Sequence, residues 1–165
     1  VLFRSNVFFF VVVVQIIGIF IWGPADRWFS SYRRPGLYGA IFCFAVALVG
    51  AVAPISTAVV TPFLLLYGFA FSTTPVLTAH GRALFPPELI GRGLTLMNIG
   101  TMGGVFAQQA LTGLLMESFG ARIVDGVRFY PPEAFKAVFG LIALELALAA
   151  ALFYRANDPY PGKPK

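Results

Sequence analysis

Charged residues cluster in one short segment between the first two apolar stretches of the sequence. Gly23 and Asp26 come first, and Arg27, Arg33 and Arg34 follow within a few residues. A carboxylate at this position can cap the N-terminus of a neighbouring helix and can also pair with a guanidinium group. Where these contacts are partly buried, they stabilise one packing arrangement by about 1 kcal/mol or more. The pattern fits either a conformational gating loop at a membrane surface or a solvated loop whose charges follow membrane topology.

Hydroxyl-bearing side chains recur along the third apolar stretch, which also contains Pro62 and Pro75. Each proline removes a backbone donor and permits bending, so this stretch predicts a substrate wall in a moving helix. Tyr67 is the preferred contact for a ligand. The other candidate residues of the substrate path are Thr61, Ser72 and Thr74. The alternative is an ordinary transmembrane helix, in which prolines and small hydroxyl residues are common.

The fourth apolar stretch carries a stripe of polar side chains at helical spacing. The stripe comprises Asn98, Thr101, Gln108 and Thr112, with Gln109 at its edge. Hydrocarbon penalises such groups, so they are expected either to line a cavity facing another domain or to bond to neighbouring helices. Gly100 and Gly104 form a separate step of small residues that would let another helix approach closely.

Few other residues carry chemistry. Glu145 is the one acidic residue deep within an apolar stretch, and it is expected either to be a protonated packing residue or to take part in proton coupling. His80 and Cys43 are the only residues of their types, and the sequence contains no Gly-rich phosphate loop. We therefore expect no enzyme activity, no cofactor and no metal site.

Five apolar stretches must position these residues. They cover residues 6–22, 36–53, 57–79, 93–116 and 135–154, each long enough as a helix to span a hydrocarbon core of about 30 Å. Hydrophobic residues make up 58% of the chain and charged residues 12%, about half the charged share of soluble domains. The sequence therefore predicts an all-α integral membrane protein with five transmembrane helices in a lipid bilayer.

The basic residues indicate an orientation. Most lie in loops and a tail that five crossings place on one side, namely Arg27, Arg33, Arg34, Arg82, Arg92, Arg155, Lys163 and Lys165. The opposite side is balanced in charge, so the positive-inside bias predicts a cytoplasmic C-terminal tail over residues 155–165, in a cell or inner membrane. Because the basic residues are spread over several loops rather than one face, nucleic acid is not expected as a partner.

The segment from Gly23 through the Asp26–Arg27 pair to the paired Arg33 and Arg34 resembles a cytoplasmic loop motif of the major facilitator superfamily. Two residues separate Gly23 from Asp26 and no second glycine precedes the basic pair, so the segment looks like the degenerate copy between helices eight and nine of that family. The remaining four stretches then correspond to helices nine to twelve, and the chain ends in the cytoplasm as the charges indicate.

The resemblance implies that residues 6–154 form a C-terminal six-helix half that lacks its first helix. The expected partners are the missing N-terminal six-helix half and a small-molecule substrate, with protons as a candidate coupling ion. The implied function is gradient-driven secondary transport by alternating access. The alternative is a non-transporting membrane scaffold or assembly subunit.

Residues 1–5 (VLFRS) look like the translation of a sequencing adapter. We expect them to be non-native, with a native outer turn as the alternative.

Overall fold

The computed structural model describes residues 2–54 and 56–161, and side chains within them for residues 6–54, 56 and 58–161. Over this part of the chain the helices are α1 (Leu2–Trp22), α2 (Ala25–Phe29), α3 (Arg33–Val52), α4 (Thr57–Ala70), α5 (Thr74–Ala83), α6 (Ile90–Ser118) and α7 (Pro132–Tyr154). A 3-10 turn, Pro87–Leu89, precedes α6. The expectations for Val1 and for residues 162–165 of the tail lie outside the described residues.

Four helical segments are long and apolar enough to cross a membrane, namely Asn6–Phe29, Arg33–Val52, Ala58–Ala83 and Pro132–Tyr154. They correspond to four of the five expected spans. The remaining one lies in α6, which has 29 residues but is less apolar than these four, because amides and glycines interrupt its apolar side chains. Between 6% and 33% of each of the four spans is buried within the protein. The rest is apolar surface that lipid or further helices must cover.

The third expected span is not one continuous helix. Helix α4 ends at Ala70 and α5 begins at Thr74, with Phe71, Ser72 and Thr73 between them. Pro75 lies in the first turn of α5, where its missing N–H cannot bond back to the carbonyl of Phe71, so the regular helical hydrogen bonding stops there. The expectation of a helix over residues 57–79 was wrong in this respect, although the position of the interruption follows from Pro75.

Helix α3 is central to the packing. It contacts α7 along most of its length and also packs against α4, which in turn packs against α1. The innermost side chains are Cys43 and Val46 of α3 and Ala70 of α4, and the Cys43 thiol donates a 3.0 Å hydrogen bond to the Ala70 carbonyl oxygen. Helix α6 packs more sparsely, mainly against α5, α7 and the 3-10 turn, and Gly93 is its single buried residue among those described.

Two of the segments between the apolar stretches contain regular structure. The segment after α1 includes the five-residue helix α2. Strands β1 (Arg122–Val124) and β2 (Val127–Phe129) form an antiparallel hairpin between α6 and α7. Its two turn residues, Asp125 and Gly126, have φ of 51° and 77°, the positive values that a tight two-residue hairpin turn requires.

The hairpin is tied to the end of α6 by exposed polar contacts. The Glu117 carboxylate accepts hydrogen bonds of 2.6 Å from both the Arg128 guanidinium and the Tyr130 hydroxyl. The contact with Tyr130 and the charge of Glu117 raise the pKa of Arg128 above its ordinary value, so this side chain stays charged.

Candidate functional site at one end of the bundle

A cleft of about 770 Å³ opens between the ends of α1, α2, α5 and α6. Its polar and aromatic lining comprises Asp26, Tyr32, Thr74, Thr78, Arg82 and Phe85. A cleft of this size can hold a small molecule. A carboxylate, a guanidinium group, hydroxyl groups and aromatic rings together can bind a small polar solute.

Three side chains of the cleft come from one face of α5. Thr74, Thr78 and Arg82 are spaced four residues apart, so they lie one above another along the helix. Helix α5 is held at its start by the buried Thr73, whose methyl group would collide with any side chain at Gly39 of α3. The start of α5 after the interruption therefore fixes which of its residues line the cleft.

Asp26 enters the cleft from the opposite wall. Helix α2 is anchored by Ala25, which is 2% exposed, and the chain then turns back at Ser30, a non-glycine residue with φ of 44°. The backbone N–H of Ser31 closes this turn by bonding to the Asp26 carbonyl oxygen at 3.0 Å. Within the described part of the chain the Asp26 carboxylate forms no ion pair. The carboxylate remains available to a ligand on the cleft surface.

The other residues of the expected gating loop lie outside the cleft. Gly23 ends α1 by bonding its N–H to the Ile19 carbonyl oxygen at 2.8 Å, and Arg27 and Arg34 are exposed to solvent. The Arg33 guanidinium binds the end of α7 instead, donating to the carbonyl oxygens of Tyr154 and Ala156 at 3.4 Å. The structure therefore brings only Asp26 of these five residues to the cleft.

The expected substrate-path residues are also separated. Thr74 lines the cleft, whereas Thr61, Tyr67 and Ser72 do not. Ser72 is 1% exposed and donates a 2.5 Å hydrogen bond to the Phe69 carbonyl oxygen, as part of the junction between α4 and α5.

Tyr67 belongs to an aromatic cluster between α4 and α7. Its ring stacks on Phe71 with centroids 4.3 Å apart, and the rings of Phe63 and Phe139 lie 6.0 and 6.1 Å away. Such contacts stabilise packing beyond the apolar area they bury. The ring of Tyr67 has a clear packing role, and its contact with a ligand stays a prediction.

The polar stripe of α6 faces away from the cleft. Asn98, Thr101 and Gln109 are exposed, while Gln108 and Thr112 are partly buried. The Thr101 and Thr112 hydroxyls bond to carbonyl oxygens one turn earlier in α6, at 2.9 and 2.8 Å. The Gln108 amide nitrogen is buried and has no hydrogen-bond partner in the described residues.

The glycines of α6 lie in open surroundings. A Cβ atom at Gly100 or Gly104 would meet nothing within 4 Å, in contrast to the glycines of α1, α3 and α4. The step of small residues is therefore available for a close helix contact but is not used by any described element of this chain.

Glu145 lies on α7, partly buried and away from the cleft. Neighbouring positions of α7 pack on α3 and α4, with Ala143 4% exposed and Leu146 against the core of Cys43 and Val46. No hydrogen bond or ion pair joins its carboxylate to the side chains that the structure describes. Both expectations for Glu145, packing and proton coupling, stay predictions.

Sequence reasoning treated Arg82 only as a topology signal and gave Tyr32 no role. The four-residue spacing of Thr74, Thr78 and Arg82 could have revealed their common face. Tyr32 carried no such signal, because its place in the cleft depends on how α2 and α3 fold against α5.

No family model, no curated protein sequence and no solved structure matches the chain. The function must be argued from the cleft and its surroundings.

Proposed function

We propose that this chain is part of a secondary active transporter that moves a small polar solute by alternating access. The observation that carries the proposal is an interrupted apolar helix, α4–α5, beside a cleft that carries charged and hydroxyl side chains next to the interruption. Transporters commonly use discontinuous membrane helices at their substrate sites, because the interruption supplies polar groups and permits bending. A uniformly packed scaffold has no comparable need for such a helix.

The membrane placement is part of this proposal. The four apolar helical segments cross the bilayer, and α6 crosses as a fifth helix with its polar stripe shielded from lipid by protein. Positive-inside bias puts the cleft, the segment from Gly23 to Arg34 and the C-terminal tail on the cytoplasmic side of a cell membrane. The cleft is then the cytoplasmic entrance of the transport path.

The uncovered face of α6 supports a larger assembly. Asn98 and Gln109 expose amide groups on this face, and such groups are costly in hydrocarbon. The open glycines Gly100 and Gly104 would let another helix approach closely. We infer that further helices of the same protein cover this face. The major facilitator resemblance of the Gly23–Arg34 segment supplies a specific form of this inference, an N-terminal six-helix half.

The mechanism assigns a role to each charged group of the cleft. Asp26 and Arg82 face a common space without a direct ion pair between them, so a solute with both donors and acceptors can bind to both groups. Binding to walls that belong to different helices favours the arrangement in which those walls are close. Movement at the α4–α5 junction then changes the side of the membrane to which the cleft opens.

A cysteine-accessibility experiment on the product of the complete gene tests the proposal. Thr78→Cys places a thiol in the cleft, whereas the native Cys43 is 3% exposed and hydrogen-bonded, so its background labelling should be low. A membrane-impermeant maleimide should label Thr78→Cys from the cytoplasmic side, and Asp26→Asn should change that rate severalfold. Uptake and depletion of medium solutes should change in the same variant while its expression stays unchanged.

Val127→Cys in the hairpin is the matched control, because its side chain is exposed and lies outside the cleft. In this topology the hairpin lies on the opposite side of the membrane from the cleft, so Val127→Cys is labelled from that side. Its labelling rate should not respond to Asp26→Asn. Equal labelling of Thr78→Cys with and without Asp26→Asn, together with unchanged solute profiles, would contradict transport. That outcome would favour the alternative function, a membrane scaffold or assembly subunit.

A further inference from the structure

The residues that follow α7 fold back across the bundle and contact the beginning of α3. We call residues 154–160 the strap. Ser31 and Asp158 lie 127 positions apart in the sequence, yet the Ser31 hydroxyl donates a 2.6 Å hydrogen bond to the Asp158 carboxylate. Ser31 is fully buried. The strap is therefore joined to the bundle by a specific polar contact.

Asp158 caps a helix to which it does not belong. Its second carboxylate oxygen accepts the backbone N–H groups of Tyr32 at 3.0 Å and Arg33 at 3.4 Å. The N–H of Arg34 bonds to the Ser31 hydroxyl oxygen at 3.0 Å, and that hydroxyl in turn donates to Asp158. The N-cap side chain, Tyr32, supplies no hydrogen bond of its own. Free N–H groups at a helix start require acceptors and favour negative charge, and the strap supplies both.

The cap is reciprocal. The Arg33 guanidinium donates to the Tyr154 and Ala156 carbonyl oxygens at the end of α7, where unpaired carbonyl groups favour positive charge. The base of the strap is also fixed by packing, because Phe153 lies against Gly36, where any side chain would collide with the ring. The start of α3 thus receives its capping charge from the strap, and the end of α7 receives its capping charge from α3.

The strap also contacts the cleft described above. The Tyr160 ring packs edge-on against the ring of Tyr32, a wall residue of the cleft, with centroids 5.1 Å apart. His80 of α5, which is 2% exposed, donates from Nε2 to the Asn157 carbonyl oxygen at 2.9 Å. The neighbour of His80, Ala79, lines the cleft. The strap thereby contacts Tyr32, a wall residue of the cleft, and α5, one of the helices that border the cleft.

We propose that the strap is a conformational lock, in which Asp158 on the N-terminus of α3 holds the cleft in the arrangement seen. Release of Asp158 leaves the N–H groups of Tyr32 and Arg33 without acceptors and frees Tyr32 and α5 to move relative to each other. The lock is a property of the fold and holds whether or not the cleft transports a solute.

The test compares Asp158→Ala with Glu88→Ala in the full chain, in lipid nanodiscs. Both changes remove one acidic side chain, but Glu88 is exposed on the 3-10 turn. Loss of a helix cap in proteins corresponds to roughly a fivefold change in a local opening equilibrium. Amide hydrogen exchange at Tyr32 and Arg33 should therefore accelerate about fivefold or more in Asp158→Ala and stay unchanged in Glu88→Ala.

A second measurement separates a lock on the cleft from local fraying of α3. In the Thr78→Cys background, Asp158→Ala should change the maleimide labelling rate severalfold, whereas labelling of Val127→Cys should stay constant. Asp158→Asn keeps one acceptor oxygen, so it should change both the amide exchange rate and the labelling rate in the same direction but by a smaller factor. This variant replaces Asp158→Ala in both measurements if the alanine variant folds poorly. Unchanged Thr78→Cys labelling, or an equal change at Val127→Cys, would overturn the proposal.

Discussion

Helices α1 and α4 pack closely at Gly68, and replacing this glycine should loosen the bundle. A Cβ atom at Gly68 would lie 2.9 Å from the Val11 Cγ1 atom and 3.1 Å from the Val11 carbonyl oxygen. Neither neighbour is the end of a flexible side chain, so the two helices must move apart to accept it. Overpacking of this kind costs about 1–3 kcal/mol.

Gly104 provides a matched control, because it is also a glycine within a helix but its Cβ would meet nothing within 4 Å. Alanine is preferred over glycine in a helix interior by about 1 kcal/mol, and this gain applies at both positions. Gly68→Ala should therefore lose up to about 2 kcal/mol, while Gly104→Ala should gain up to about 1 kcal/mol.

Unfolding of the purified chain in mixed micelles, followed by circular dichroism, measures this difference. A gap of about 2 kcal/mol between the variants is roughly a thirtyfold difference in the unfolding equilibrium constant. Equal stability of the two variants would show that α1 and α4 are not as close at Gly68 as described. In the complete gene product, a destabilising Gly104→Ala would show that another helix packs on α6, as proposed.

Two further perturbations address the aromatic cluster and the hairpin. Tyr67→Ala should lower the free energy of unfolding by about 2 kcal/mol or more, since it removes a ring packed against Phe71 and Phe139, whereas Tyr67→Phe should leave stability nearly unchanged. If Tyr67→Phe impairs solute uptake at normal stability, the hydroxyl contacts substrate; equal stability of both variants would contradict the packing role. Glu117→Gln should leave the unfolding midpoint unchanged in low and high salt, because the Glu117–Arg128 pair is exposed; a clear decrease confined to low salt would contradict this.

Much of the helical architecture could be predicted from the sequence, because the length of an apolar run and the position of prolines act locally. Four of the five expected spans are helical segments long and apolar enough to cross a membrane, although the third is interrupted. The hairpin was missed although its signal was present, since Asp125–Gly126 between two short runs of β-branched and apolar residues is a strong turn pattern. The segment between α6 and α7 was interpreted only as a loop.

The candidate site was predicted only in part, for a physical reason. Asp26 and Thr74 were named from charge and position, and the structure places both in the cleft. Tyr67 and Ser72 share the same apolar stretch as Thr74, but the regular helix stops at Ala70 and resumes only at Thr74. Residues on the two sides of such a break no longer follow one helical periodicity, so a common face could not be inferred.

The sequence by itself determined the apolar helices and the polar stripe of α6, because hydrophobic burial depends on neighbouring residues. It allowed a bend at Pro62 or at Pro75, and only the structure shows that α4 continues through Pro62 and ends before Pro75. Only the tertiary structure decided which acidic residue caps α3. Asp26 is close to that helix in sequence, but the carboxylate that binds its N–H groups is Asp158, which the packing of α7 on α3 brings there. Contacts between residues more than a hundred positions apart depend on how whole helices pack, and local sequence carries no record of that arrangement.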